Sequence, residues 1–228
     1  MFPNLSKVNI LRKKYVIVKR RLSIASTIFI LLFLLFLTGC ISKNKSIGLQ
    51  PYNNFNRSIL DTIKVALEHS YPYKVNILPD RPLPKNAFVN IKSPRYRADS
   101  LLIDLNKHKP DSLNITLGIT SSDISTTKKD IWGNIKSPVN KYTDWGIFGL
   151  GYRPGTACVV STFRLNNSNN TLFINRLKKV AVHEIGHNLG LKHCKTVGCV
   201  MQDAAETIKT IDSVSLNLCP LCKKKAGL

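Results

Sequence analysis

Acidic side chains are scarce in this chain: 13 Asp and Glu stand against 34 Lys and Arg in 228 residues, a formal net charge of +21. Glycine (12) and proline (11) are also sparse, which excludes collagen-like sequence. Coiled-coil and wholly disordered chains are excluded too, because the 43% hydrophobic and 21% charged content is that of a globular protein. No internal repeat is present, and only one stretch is continuously apolar, so neither a solenoid nor a multi-span membrane protein fits. The charge is unevenly placed. Residues 1–39 hold seven Lys and Arg and no acid, which leaves +14 on the rest. Such a surface associates with anionic lipid and other polyanions without specificity. No specific nucleic-acid partner is implied.

The single apolar run explains the N-terminus. A basic segment, Lys13 to Arg21, precedes the 16 residues Leu22 to Leu37, and small residues follow. This is the layout of an export signal, and it is short of the roughly 20 residues that span a bilayer. Leu37-Thr38-Gly39-Cys40 resembles the lipobox of bacterial lipoproteins. The resemblance implies cleavage before Cys40, lipid on Cys40, and an exported, membrane-anchored protein of the bacterial cell envelope. The alternative is an uncleaved anchor helix with Cys40 an incidental thiol. The expected boundaries are a signal peptide over 1–39, the lipidated cysteine and a polar linker over 40–53 (Ile41 to Gln50 above all), and a folded body over 54–228.

Within the body, apolar spacing predicts a helix from Asn54 to Ser70, capped by Asn54 or Asn56. Strands are expected at Tyr73–Leu78, Leu113–Ile119, Asp144–Gly151 and Thr156–Leu165. Pro79 to Pro94 holds four prolines and reads as loop. Tyr96–Lys107 and Thr171–Gly190 read as helices. The order points to an α/β (α+β) fold with a mixed twisted sheet over 54–190. The segment 191–228 is short on periodicity and rich in cysteine, so something other than a large core is expected to shape it.

The chemistry is concentrated between Val182 and Cys222. His183-Glu184-Ile185-Gly186-His187 is H-E-x-x-H. On a helix, residues four apart share a face, so both imidazoles reach one ion and Glu184 stands beside it as a proton acceptor. The run extends to H-E-x-x-H-x-x-G-x-x-H. Gly190 lets the chain leave the helix with positive φ, and His193 can swing back to the same ion. Three neutral imidazoles and one open position form a catalytic rather than a structural zinc site. Cys194, Cys199, Cys219 and Cys222 follow in two close pairs, which suits a closed four-thiolate zinc site. Disulfides are the rival, since export leads to an oxidising compartment. Cys158, in a hydrophobic strand, reads as a buried small side chain.

The string H-E-x-x-H-x-x-G-x-x-H-C-x4-C-x-M-x17-C-x-x-C, His183 to Cys222, is similar to the signature of archaemetzincins, a family of the metzincin clan of zinc metallopeptidases. The resemblance implies that His183, His187 and His193 hold a catalytic zinc and that Glu184 is the general base. It further implies that Met201 forms a Met-turn beneath them and that the four cysteines hold a second, structural zinc. Met201 also reads simply as a core residue, and the two readings agree. Two residues on, Asp203 stands near where some metzincins carry a metal-contacting Tyr, so three protein ligands are expected. The implied fold is metzincin-like, a catalytic domain over 54–228 divided at about residue 190, and the implied activity is peptide-bond hydrolysis on a peptide or protein substrate. The strand from Thr156 to Phe163 is expected to be the edge that pairs with extended substrate. Arg153 and Arg164 favour acidic substrates or simply face solvent. The competing class is a catalytically silent, membrane-anchored zinc-binding module, against which Glu184 speaks.

Overall fold

The structure is a computed structural model that describes residues 45–203 and 207–228; the expected export signal and Cys40 lie outside them. β1 (Ser46–Pro51) is buried along its whole length, although the polar sequence around it reads as linker. The linker expectation is corrected here, and the reason is pairing. β1 lies between two parallel partners, β2 (Lys74–Ile77) and β5 (Ile115–Thr120). Its polar side chains are satisfied: Ser46 Oγ donates to Ser112 O (2.9 Å) and Gln50 Nε2 to Pro79 O (2.7 Å). Only Ile47 and Leu49 supply apolar bulk, so no periodicity announces the strand.

Parallel β1 and β2 need a crossover, and α1 (Arg57–Ser70) supplies it. Asn56 caps the helix by accepting from Ile59 N. Leu60, Ile63, Ala66 and Leu67 form its buried stripe. The first sheet runs β2-β1-β5-β9-β8, with β9 (Ala157–Ser161) parallel to β5 and β8 (Gly149–Gly151) antiparallel at the outer edge. α1 and α4 (Asn170–Asn188) cover one face. α2 (Ala98–Lys107) covers the other through Leu101, Leu102 and Leu105. Side chains close on the bare Gly118 there: a Cβ on it would lie 3.0 Å from the Leu105 side chain and 3.1 Å from the Tyr52 ring. The mixed α/β expectation holds.

A second sheet, β3-β4-β6-β7, consists of β3 (Phe88–Asn90), β4 (Pro94–Arg97), β6 (Ile124–Thr126) and β7 (Trp145–Ile147). Two expectations change. The proline-rich stretch contains β3 and the start of β4, and β4 takes the first two residues of the helix expected from Tyr96. The strand expected over 144–151 is two strands that break at Phe148 and serve different sheets. Buried ion pairs fix this sheet: Arg95 meets Asp123 (3.1 Å) and Asp144 (3.2 Å), and Arg164 grips Asp123 with two contacts of 2.7 and 2.8 Å. A short α3 (Val139–Tyr142) lies between β6 and β7.

After Gly190 come α5 (Ile208–Ser213) and α6 (Pro220–Ala226). Val200, Met201, Ile211, Leu218, Cys199 and Cys222 join the core beneath α4. The segment therefore shares the main core rather than standing apart from it.

Candidate metal centre

α4 starts where Asn169 caps Leu172 N (3.1 Å) and runs long enough to place His183 and His187 one turn apart. It ends at Gly190, whose φ of +88° reverses the chain. Leu191 N donates back to Gly186 O (3.0 Å) and Gly190 N to His187 O (2.8 Å), which closes the helix end. His193 is thereby returned to the helix face. One ring nitrogen from each of the three imidazoles lies within 4.8 Å of the others.

The tautomers follow from the partners. His183 Nδ1 is 2.8 Å from Val200 O and His187 Nδ1 is 2.8 Å from Leu191 O. A carbonyl only accepts, so each Nδ1 carries the proton and each Nε2 presents a lone pair. Asp203 does the same for His193, with its carboxylate 3.1 Å from Nδ1. Sequence reading noted only that Asp203 stands near where some metzincins carry a tyrosine and missed this contact, which depends on the chain reversal at Gly190. Burial and the neighbouring His187 lower the pKa of His183 to about 4, and burial lowers that of His187 as well. Both stay neutral at pH 7, the form that binds metal. The donor set therefore fits a zinc ion with an open position.

Met201 is fully buried, and a Cβ on Gly186 would collide with its sulfur, so the methionine lies directly beneath the histidine helix. Its neighbour Val200 supplies the carbonyl that orients His183.

Glu184 lines the same cleft as the histidines, with its carboxylate against β8. A Cβ on Gly149 would lie 2.7 Å from Glu184 Oε1, and one on Gly151 would lie 3.2 Å from Oε2. The two glycines give the carboxylate its seat. Burial raises its pKa to about 8. Cys158 lies behind it, fully buried as expected, with burial and Glu184 both pushing its thiol up.

The four C-terminal cysteines converge in a second cluster, their sulfurs also within 4.8 Å of one another. Cys194 and Cys219 sulfurs are 3.8 Å apart, and Cys199 and Cys222 sulfurs 3.9 Å. A disulfide needs roughly 2.0 Å. The edge of a tetrahedron with Zn–S bonds near 2.3 Å is roughly 3.8 Å. The N–H groups of Thr196 and Cys219 point at the sulfurs of Cys194 and Cys199 (both 3.4 Å). Desolvation opposes ionisation of Cys219, but N–H and hydroxyl donors from Cys222 and Thr196 outweigh it and bring the thiol down to about 6.

A cleft of about 460 Å³ opens over the histidines. Ile147 and Phe148 line it on the sheet side, and Val180, Ile211 and Val214 on the helix side. β9 is not an edge, which corrects the expectation for Thr156–Phe163: it is paired on both sides, and β8 is the outer strand beside the cleft. Arg164 is held by Asp123, whereas Arg153 lines the cleft. Sequence reading also missed Asn188. Its amide donates to Tyr152 O (2.9 Å) and Ala157 O (2.8 Å), tying the β8–β9 turn to the end of α4.

Comparison with known proteins agrees with this geometry. The model of the family described as Peptidase family M54 matches residues 43–227. An archaemetzincin of Haloquadratum walsbyi is 27% identical over 187 residues, spanning 78% of this chain and 97% of that protein. The crystal structure of an archaemetzincin from Methanopyrus kandleri is similar with a TM-score of 0.67 and 26% identity, over 83% of this chain and 97% of that one. The archaemetzincin structure from Archaeoglobus fulgidus gives 0.63 and 27%, over 79% and 99%.

Proposed function

This chain belongs to peptidase family M54 and is a zinc metallopeptidase, and from that premise we propose which residues perform the hydrolysis and where the protein works. His183, His187 and His193 hold the catalytic zinc, with Val200 O, Leu191 O and the Asp203 carboxylate fixing the three rings. Zinc in that position supplies Lewis acidity, bringing the pKa of water towards neutrality and polarising the scissile carbonyl.

Glu184 is the general base. Gly149 and Gly151, which carry no side chain, leave room for its carboxylate against β8. It takes a proton from the attacking water as the new C–O bond forms. It then gives that proton to the amine nitrogen as the C–N bond breaks. Substrate lies extended along β8, whose outer edge offers unused backbone donors and acceptors beside the cleft. The histidine convergence with Glu184 alongside is the observation that carries this reading. A silent zinc-binding module would have no need of a buried carboxylate there.

Cys194, Cys199, Cys219 and Cys222 hold a second, structural zinc, making two per chain. The sulfur spacing supports a metal over disulfides. The lipobox-like Leu37 to Cys40 supports export and a lipid anchor on Cys40, so the peptide or protein substrates are those of the cell envelope. Zinc-loaded protein should cleave an unbiased peptide library, and Glu184→Gln should lower the rate about 10²- to 10⁴-fold with zinc content unchanged. A variant as active as the wild type would remove Glu184 from the mechanism.

A further inference from the structure

The segment joining β6 to β7 folds into a hairpin whose tip is apolar and uncovered. Ile131 is 89% exposed and Trp132 79%. The hairpin is ordered by its own bonds: Lys129 and Ile135 bridge antiparallel, Asp130 N donates to Asn134 O (2.8 Å), and Lys136 N donates to Lys128 O (3.0 Å). Asp130 Oδ1 accepts from the N–H groups of Trp132 and Asn134, both at 2.9 Å, and Gly133 takes the positive φ that the turn requires. The turn thus displays its two large apolar side chains instead of packing them.

Their surroundings are basic. Residues 128–141 contain four lysines and one aspartate, and that aspartate is engaged in the turn. Lys129 and Lys136 meet no carboxylate among the described residues. Lys128 and Lys141 lie over the Trp145 ring, at 4.6 and 5.4 Å. Lys92, beside the 58%-exposed Ile91, is tied to this region by a bond to Lys141 O (2.7 Å). Exposed apolar side chains at the tip of a hairpin whose flanking segment is rich in lysine match the two layers of an anionic bilayer, apolar at the acyl boundary and negative at the headgroups. A protein partner for a convex tip would need a matching acidic pocket.

We propose that the 128–136 hairpin docks the body of the protein on an anionic lipid surface, with Ile131 and Trp132 entering the acyl boundary and Lys129, Lys136 and Lys141 meeting lipid phosphates. This stands independently of the peptidase reading. Thr126 and Lys128 also line the cleft, so docking brings that side of the cleft to the bilayer. A tether on Cys40 would raise the local concentration of lipid seen by the tip.

The test uses residues 44–228. They form a compact unit with its own core, and the Archaeoglobus fulgidus structure is matched over 99% of its length by 79% of this chain. Vesicles of phosphatidylcholine with one quarter phosphatidylglycerol, and of phosphatidylcholine alone, are compared by co-sedimentation and by tryptophan quenching with brominated lipid. The wild type should bind the anionic vesicles and be quenched. Ile131→Ser/Trp132→Ser should bind about tenfold or more weakly, with the remaining Trp145 unquenched. Lys129→Glu/Lys136→Glu should lose the preference for anionic lipid. Circular dichroism and zinc content confirm that each variant is folded. Equal binding by the serine variant, or bound protein without quenching, would reduce the effect to diffuse charge and overturn the proposal. So would a wild type that ignores vesicles while the serine variant cuts a protein substrate, but not a short peptide, more slowly; that result would make the tip a protein-docking element.

Discussion

Replacing Gly149 with alanine should disable the enzyme without touching a ligand. The added Cβ would lie 2.7 Å from Glu184 Oε1, 2.8 Å from its Cγ and 3.0 Å from its Cδ. Ordinary contact between such atoms is roughly 3.5 Å or more, so most of the side chain must retreat by somewhat under 1 Å. It has little room to do so, because Glu184 is buried. A displacement of about 1 Å at a reacting group costs about 10²-fold in rate, and overpacking costs about 1–3 kcal/mol of stability. The three atoms nearest the new methyl all belong to Glu184, so zinc content should stay at the wild-type value. Gly151→Ala, whose nearest carboxylate atom is 3.2 Å away, should have the milder effect on rate. Steady-state kcat/KM on a fluorogenic peptide, with zinc measured on the same samples, decides. An alanine variant within threefold of the wild type, or one that loses zinc in step with activity, would refute the seat assigned to Glu184.

Further outcomes follow from the same geometry. In metal-free protein, Glu184 keeps its proton up to about pH 8, whereas the unfolded chain releases it near 4.5. The folded state thus binds the extra proton between these values, and stability should fall by a few kcal/mol as pH rises through that window. Glu184→Gln should flatten the slope, which urea unfolding of the metal-free proteins at pH 5 and 8.5 will show. Asp203→Asn should weaken zinc binding about tenfold by loosening His193, read by competition with a chromogenic chelator. Cys219→Ser should lower zinc from two ions to one and disorder the segment after Gly190, visible by metal analysis and limited proteolysis. Retention of two ions would show that the cysteines hold no metal.

The site was more legible than the fold. Metal ligation demands particular side chains at fixed spacing, so His183, His187, His193 and the four cysteines announce themselves in one dimension, and the structure gathers them into two clusters. The helices and the strands with apolar alternation were legible for the same periodic reason. β1 was not, because its burial is imposed by two partner strands and its polar side chains are satisfied by distant carbonyls. β4 escaped because ion pairs of Arg95, not apolar spacing, hold it. The edge position of β8 depends on strand order across the sheet, and the contact of Asp203 on a chain reversal. Neither leaves a local trace.

Zinc K-edge absorption on fully loaded protein tests the account most directly. Two ions in the assigned clusters predict, averaged per zinc, about two sulfurs at about 2.3 Å and about two nitrogen or oxygen atoms at about 2.0–2.1 Å, most of the latter from imidazole. His183→Ala should leave the sulfur shell and deplete the imidazole signal. A spectrum with sulfur alone, or with imidazole scattering unchanged by that substitution, would contradict a metal ion held by the three histidines.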